Sequence, residues 1–257
     1  MTTETILVIN CGSSSLKFSL ICPNSGETIL TGLAEFLMDE QARLILKIND
    51  AKIQVELSAP FDHQVAINKL VELLQQHNLT KRITAIGHRV VHGGEKYSEP
   101  TIITDNVKSE INKLAKLAPL HNPTNLIGIE ACQKSFPNLS QVAVFDTAFH
   151  QTMPNKAFIY GIPYQLYREH GIRRYGFHGT SHLFVVNQAA KALNKALDKC
   201  SFISAHLGNG CSVCAVKDGK SIDVSLGLTP LEGVMMGTRS GDVDPGIIFH
   251  LIDQLGY

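Results

Sequence analysis

Two turns in the chain carry side chains that are suited to holding an anion. In the first, an apolar run ends at Asn10 and Gly12. Three hydroxyls and a lysine follow at Ser13, Ser14, Ser15 and Lys17. A glycine-containing turn leaves backbone N–H groups free to converge on a phosphate, and adjacent hydroxyls add donors. The same residues are also typical of a polar hairpin turn, so both interpretations stay open at this point.

The second turn, at Gly208 and Gly210, resembles the first. Gly208 aligns with Gly12, and each glycine lies between two short apolar runs. This weak internal repeat indicates a duplicated hairpin. The common nucleotide motifs are incomplete, since Cys214 and Val213 occupy positions where a P-loop and a dinucleotide fingerprint need glycine.

Charged and titratable side chains lie at predicted strand ends and loops. Arg89 and Asp146 each end a strand, His178 precedes a helix, and Arg239 lies in a loop of small residues. Two arginines and a histidine in such loops are suited to clamping an anion. By contrast, three residues are predicted to have no part in chemistry. His182 should face the first turn of its helix, and Arg173 and Arg174 should be surface charges.

Cys211 and Cys214 have the spacing of a zinc-binding pair, and His206 is the one further ligand nearby. A zinc site needs two more ligands at suitable spacing. Cysteines on a strand are therefore the favoured interpretation, with free thiols expected in a reducing compartment.

Alternating apolar patterns predict the elements that must position these residues. The first part is predicted as short strands: Ile6–Ile9, Leu16–Ile21, Ile29–Phe36, Arg43–Ile48 and Lys52–Leu57. Helices are expected from Asp62, after Asp105 and from Asn122, where a capping residue precedes proline. Strands at Ile83–Val90 and Val142–Phe145 lie between or after them.

The second part of the chain is predicted to begin near residue 150. A long helix is expected at Thr180–Leu197, with Leu183, Val186, Ala190 and Leu193 on one side. Three strands follow at Phe202–His206, Ser212–Val216 and Ser221–Val224. Strands followed by alternating helices and strands indicate a mixed α/β sheet.

Composition excludes several classes of protein. The 257 residues include 23 basic and 23 acidic side chains, so there is no basic excess for binding nucleic acid. The start of the chain lacks the basic and apolar regions of a signal peptide. No apolar run reaches the ~18 residues of a membrane span. We therefore expect a cytoplasmic protein with no nucleic-acid or membrane partner.

Several long segments resemble those of acetate kinases, in the same order. They include "ILVINCGSSSLKF", "IGHRVVHGG", "FDTAFH", "RRYGFHGTSH", "AHLGNGCS" and "TPLEGVMMGTRSGDVDPG". The resemblance implies the fold of the actin and hexokinase ATPase superfamily. That fold has two duplicated α/β domains, similar to actin and ribonuclease H, with mixed sheets. Residues 1–150 would bind the acyl substrate and phosphate, and residues 151–257 would form an incomplete nucleotide-binding domain.

The resemblance also implies catalytic roles. Asp146 matches the catalytic aspartate, and His178 and Arg239 match the pair that stabilises the transition state. Arg89 matches the arginine that binds the acyl carboxylate, and Asn10 matches the asparagine of the magnesium site.

Phosphate and acyl contacts follow from the resemblance in the same way. Lys17 and the three serines would contact nucleotide phosphates. The second phosphate loop would comprise His206, Leu207, Gly208, Asn209 and Gly210. Four apolar residues would line a pocket for the acyl methyl group: Val91, Leu120, Phe177 and Pro230. His121 matches a further active-site histidine.

The activity implied is reversible phosphoryl transfer from ATP to acetate, with Mg²⁺, by a homodimeric enzyme. Acetate has a pKa of about 4–5, similar to glutamic acid, so it is ionised at neutral pH and needs no catalytic base. We therefore expect Asp146 to orient Arg239 or a magnesium-bound water. The branched Val91 should keep the pocket short, which favours acetate over propionate or butyrate.

Chains of this family continue well past Tyr257, by about half of the present length, and the further part carries most of the adenosine pocket. A non-catalytic nucleotide-binding module is therefore an alternative function. On this view, residues 1–257 alone should form no measurable acetyl phosphate.

Overall fold

The computed structural model describes residues 4–49 and 51–257. Residues 1–3, on which part of the signal-peptide prediction depends, lie outside the described residues. The chain divides into two compact units, Met1–Phe145 (unit 1) and Asp146–Tyr257 (unit 2). The boundary predicted near residue 150, and the roles assigned to the two parts, stay predictions. No helix among the described residues is long and apolar enough to cross a membrane.

A mixed eight-stranded sheet forms the centre of unit 1. Its strands are β1 (Thr5–Cys11), β2 (Ser15–Ile21), β3 (Thr28–Glu35), β4 (Arg43–Ile48), β5 (Ala51–Glu56), β6 (Ile83–Val90), β7 (Thr101–Ile102) and β8 (Ser140–Phe145). The order is β5-β4-β3-β2-β1-β6-β8-β7, with β1 to β5 antiparallel. Strands β1, β6 and β8 run parallel, and β7 is antiparallel to β8. The predicted mixed α/β sheet is confirmed.

Alternation along the strands produces the core of unit 1. Leu16 and Phe18 on β2 are buried on the same face as Leu7 and Ile9 on β1. Three helices belong to this unit: α1 (His63–Gln76), α2 (Asp105–Lys113) and α3 (Asn122–Ser135). Asp62 caps α1 by accepting a hydrogen bond from the backbone of Val65, as a residue before a helix commonly does.

The parallel strands bring the predicted site residues of unit 1 to one edge of the sheet. Strands β1, β6 and β8 are neighbours, so their carboxyl ends lie side by side. Asn10 and Arg89 are the second-to-last residues of β1 and β6, respectively. In open α/β sheets this edge is where ligands bind.

Unit 2 contains a three-stranded antiparallel sheet with the order β11-β10-β9. Its strands are β9 (Phe202–Leu207), β10 (Cys211–Lys217) and β11 (Lys220–Val224). Its helices are α4 (Asn155–Phe158), α5 (Tyr164–His170), α6 (Gly179–Ala192) and α7 (Pro245–Leu255). Val186 of α6 packs in the same buried cluster as Cys214 and Val216 of β10.

One predicted helix end and one predicted capping residue are wrong. The helix predicted to reach Leu197 ends at Ala192, because Asn194 adopts a left-handed conformation with φ 52°. Leu193, predicted on the buried side, is 56% exposed. In α3 the capping position belongs to His121, and Asn122 is already the first helical residue.

The prediction that Arg173 and Arg174 are surface charges is also wrong. Arg173 is buried, with its guanidinium 3.6 Å from the centre of the Phe158 ring. Arg174 forms an ion pair with Glu232 and donates to the backbone of Val224. A guanidinium is planar and weakly hydrated, so it packs on rings and pairs in places where lysine does not.

Gly32 on β3 leaves room for an aromatic ring of the core. A Cβ atom there would lie 2.1 Å from Phe18 Cζ and 2.8 Å from the carbonyl oxygen of Ile45. Gly87 on β6 has no heavy atom within 4 Å of the same position. The two strand glycines therefore differ in the space around them.

Replacing Gly32 with alanine should destabilise unit 1 by about 1–3 kcal/mol, because the ring of Phe18 must leave its place. The matched control is Gly87→Ala, which should be neutral or stabilise by up to ~1 kcal/mol through the unfolded chain. Urea unfolding of both variants measures the difference. Equal stability of the two variants would contradict the packing argument.

Candidate functional site

Three polar side chains lie on adjacent strands of unit 1, at the edge of the sheet where β1 and β6 end. Asn10 on β1 is directly opposite Lys17 on β2, so their side chains share one face of the sheet. On the other side of β1, Arg89 Nη1 donates a hydrogen bond of 3.2 Å to Asn10 Oδ1. Lys17 and Arg89 therefore flank the side-chain amide of Asn10.

The serine turn is held by its backbone and leaves its hydroxyls accessible. The N–H of Gly12 donates to the carbonyl of Ser15 at 2.8 Å, which closes the turn between β1 and β2. His63 Nε2 is bonded to the carbonyl of Gly12 at 2.7 Å. Ser13 and Ser14 are exposed. No local pattern pointed to His63, because it lies on α1, 51 residues from Gly12.

A buried amide joins the ends of two parallel strands. Asn125 on α3 accepts from the N–H of Val91 at 3.0 Å and donates to the carbonyl of Cys11 at 2.8 Å. One turn earlier, Asn122 exchanges hydrogen bonds with the backbone of His92. Sequence reasoning used Asn122 only as a helix cap and missed Asn125, although both belong to the stretch "HNPTN".

The remaining predicted residues of unit 1 lie before α3 and after β6. Val91 is buried, whereas Leu120 is 75% exposed and His121 is exposed. Asn125 connects the segment after β6 to α3, the helix that begins directly after His121. The assignment of Val91 and Leu120 to one acyl pocket stays a prediction.

In unit 2, a histidine, an arginine and the second glycine turn converge. A Cβ atom on Gly210 would lie 3.3 Å from His178 Nε2 and 3.4 Å from Arg239 Nη1. The ring of His178 stacks on that of His206, with 4.0 Å between their centres. A Cβ at this position would crowd both groups, so glycine at residue 210 leaves room for the imidazole and the guanidinium beside the turn.

His178 is held in an unusual backbone conformation. Its φ of 59° is left-handed, which is uncommon for a residue other than glycine. The residues on both sides are fixed: the carbonyl of Phe177 is bonded to His150 Nε2, and the N–H of Gly179 donates to the carbonyl of Asp146. A Cβ on Gly179 would lie 2.3 Å from that carbonyl oxygen. Asp146 is itself buried.

Arg239 is held in its loop by the residues around it. Its Nη1 donates to the carbonyl of Pro230 at 2.9 Å and lies 3.8 Å from Met236 Sδ. The N–H of Met236 donates to the carbonyl of Arg239, which closes a tight turn. Pro230, predicted for the acyl pocket, is therefore a direct contact of Arg239.

The second turn exposes its backbone. The N–H of Gly208 donates to the carbonyl of Gly210 at 3.1 Å, and Leu207 is 76% exposed. Asn209 at its tip is also exposed. The turn is similar to the serine turn in joining two antiparallel strands and in closing through a glycine N–H.

A network of histidines and serines lies between α6 and the sheet of unit 2. His182, predicted to face only its own helix, is buried and bonded to Ser204 and Ser212. Burial lowers the pKa values of His150 and His182 to about 4, so both are neutral at neutral pH. The sequence signal that could have revealed this network is the four-residue spacing between His178, the residue directly before α6, and His182 in the first turn of that helix.

The cysteine pair does not form a joint site. Cys211 and Cys214 both lie on β10, and their odd spacing places their side chains on opposite faces. Burial raises the pKa of the Cys214 thiol to about 11. Across residues 4–49 and 51–257, no group of three or more His, Cys, Asp or Glu side chains could hold a metal ion.

Comparison with known proteins identifies the family. Residues 5–257 match the acetokinase family. An acetate kinase of Shewanella loihica is 58% identical over all of this chain and 65% of its own length. Among solved structures, a propionate kinase from Francisella tularensis has a TM-score of 0.94 with 49% identity. It is matched over 99% of this chain and 65% of its own.

An acetate kinase from Porphyromonas gingivalis is similar to the same degree. Its TM-score is 0.93 with 45% identity, over 99% of this chain and 65% of its own. The chain therefore belongs to the acetokinase family, and the predicted fold class is confirmed. It spans 65% of the length of the first curated relatives that it matches.

Replacing Asn125 with alanine should lower the free energy of unfolding by about 1–3 kcal/mol, because the N–H of Val91 and the carbonyl of Cys11 lose their partner inside the protein. Asn187→Ala is the control, since this side chain bonds only within an exposed turn of α6. It should change stability by less than about 0.5 kcal/mol. Chemical denaturation measures both, and a similar small effect for the two variants would refute the role of Asn125.

Proposed function

We propose that this protein transfers a phosphoryl group reversibly between ATP and acetate, giving acetyl phosphate and ADP. The observation that carries the proposal is the convergence of His178, Arg239 and the backbone of Gly210 on one place in unit 2. Membership of the acetokinase family and the 58% identity to an acetate kinase support it.

The groups in unit 2 are suited to a moving phosphoryl group. In the transition state of phosphoryl transfer, negative charge is spread over the equatorial oxygens, and catalysis consists mainly of alignment and charge stabilisation. Arg239 offers a fixed fork of donors, and His178 offers a ring nitrogen on the same side of the glycine turn. We assign the stabilisation of the transition state to these two side chains, with Gly208–Gly210 as a phosphate loop.

The groups in unit 1 are suited to a carboxylate. Arg89 can bind a carboxylate through two parallel hydrogen bonds, and Lys17 adds a positive charge two strands away. Because acetate is already ionised at neutral pH, no side chain has to remove a proton from it. We therefore assign acetate binding to Arg89, phosphate contacts to Lys17 and Ser13–Ser15, and an orienting role to Asp146.

Magnesium is the cation that this proposal requires. Mg²⁺ is usually held by one or two protein oxygens together with substrate phosphates, so a cluster of several acidic ligands is not needed. The amide oxygen of Asn10 is a suitable hard ligand beside Arg89 and opposite Lys17. When bound, Mg²⁺ would neutralise charge on the nucleotide phosphates.

Acetate is preferred to propionate in this proposal because Val91 is branched and buried. A propionate kinase among the similar structures makes propionate the second candidate. The cytoplasm is the expected location, since ATP and ADP are the proposed substrates. The homodimer implied by the family resemblance stays a prediction.

The decisive experiment is detection of acetyl phosphate as its hydroxamate. Because the relatives are longer, the assay compares the 257-residue chain with the same chain continued by the remaining part of the Shewanella loihica acetate kinase. The extended chain should form hydroxamate only with both ATP and acetate. ATP binding without any hydroxamate would favour the non-catalytic nucleotide-binding module.

Removing either arginine should abolish most of the activity. Arg89→Ala and Arg239→Ala in the extended chain should each lower turnover by about 100- to 1,000-fold, as the loss of a donor to a developing charge does. Arg168→Ala, on the exposed side of α5, is the control and should keep normal turnover. Normal rates in both active-site variants would remove these residues from the mechanism.

Shortening Val91 should change the choice of acyl substrate. Val91→Ala should raise the ratio of propionate to acetate use by about 10-fold or more, since a methylene in an apolar pocket is worth ~1–3 kcal/mol. The ratio of kcat/KM values for the two acids measures this. An unchanged ratio would mean that Val91 does not limit the acyl group.

A further inference from the structure

A continuous chain of hydrogen bonds leads from the interior of unit 2 to His178. Ser204 Oγ is 3.0 Å from His182 Nδ1, and His182 Nε2 is 2.8 Å from Ser212 Oγ. The same Ser212 Oγ is 2.9 Å from His178 Nδ1. We call Ser204, His182, Ser212 and His178 the Ser–His chain.

Three members of the Ser–His chain are buried. Ser204, His182 and Ser212 are 4%, 1% and 0% exposed. Burial of His182 lowers its pKa to about 4, so at neutral pH it carries a single N–H. These groups must therefore satisfy one another, because buried polar atoms without partners are costly.

The number of hydrogen atoms available allows only two donor–acceptor directions along the Ser–His chain. The hydroxyl of Ser212 has one hydrogen, so it donates to one histidine and accepts from the other. Either every donor points towards His178, so that Ser212 donates to His178 Nδ1, or every donor points away, so that His178 Nδ1–H donates to Ser212. The first direction leaves the proton of His178 on Nε2.

Donation from His178 Nε2 to an anion requires the first direction. Its Nε2 is on the side of Gly210, where Arg239 Nη1 also lies, and its ring stacks on His206. An anion held beside the guanidinium accepts hydrogen bonds, so the ring nitrogen that faces it must carry a proton. A neutral His178 donates to an anion at Nε2 only if its Nδ1 is an acceptor.

We propose that Ser212 and His182 are positioning residues that keep the proton of His178 on Nε2, aimed at the anion held beside Arg239. This inference rests on the proposed function, because the anion that the function places beside Arg239 selects the direction of the Ser–His chain. His182 donates from Nε2 to Ser212, Ser212 donates to His178 Nδ1, and Ser204 donates to His182 Nδ1. Each buried group then has a partner.

NMR of the protein with nitrogen-15-labelled histidine tests this directly, since nitrogen shifts distinguish protonated from unprotonated ring nitrogens. Near neutral pH, and without nucleotide or acetate, His178 should have a protonated Nε2 and an unprotonated Nδ1. Its signals are assigned by their loss in His178→Asn. A protonated Nδ1 in the unaltered chain would overturn the proposal, even if no variant folds.

Variants of the serine provide the second measurement. Ser212→Ala should give His178 a mixture of tautomers, and Ser212→Thr, which keeps the hydroxyl, should restore the single one. Ser221→Ala is the matched control, because it breaks an equally buried bond to His150 that is not part of the Ser–His chain. It should leave the His178 shifts as they are.

An unchanged tautomer in Ser212→Ala, or an equal change in Ser221→Ala, would refute the role of Ser212. The spectra are recorded without ATP or acetate. A missing kinase activity would therefore count against the proposed function without changing what the spectra say about the His178 tautomer.

Discussion

Buried polar groups must find their partners inside the protein, and this requirement organises both units where strands end. In unit 1, the amide of Asn125 satisfies one backbone group at the last residue of β1 and another directly after β6. In unit 2, the ring of His150 and the carbonyl of Asp146 fix the peptide groups on either side of His178. The positions of the proposed site residues thus depend on complete hydrogen bonding around them rather than on apolar packing alone.

The two glycine turns have a similar geometry and different neighbours. The serine turn adds hydroxyls, and the side chains near it, Lys17 and Arg89, carry fixed positive charge. The turn at Gly208–Gly210 has no hydroxyls and is instead approached by the ring of His178 and by Arg239. Fixed charge suits a ligand that keeps its own charge, such as a carboxylate. A ring nitrogen beside one arginine suits a group whose charge is redistributed as it reacts.

Much of this arrangement could be predicted from the sequence, and the remainder has a physical reason. Arg89, His178 and Arg239 were recognisable because each stands beside small residues where an apolar pattern stops. Asn125 was not, since its partner Cys11 is 114 residues distant and no local pattern reports it. The end of α6 was misjudged because Asn194 turns left-handed, which overrides an apolar period that continues to Leu193. Local rules find strand ends; they do not find the side chains that connect them.

The Ser–His chain has a consequence for how the protein tolerates change. Each of its buried members bonds to the next, so removing one leaves a donor or an acceptor stranded at about 1–3 kcal/mol. A second change at the neighbouring position then adds much less, because the bond is already gone. Substitutions at Ser204, His182 and Ser212 are therefore not independent. Once one of these side chains is lost in evolution, losing the others costs less stability. The three positions should therefore vary together or not at all.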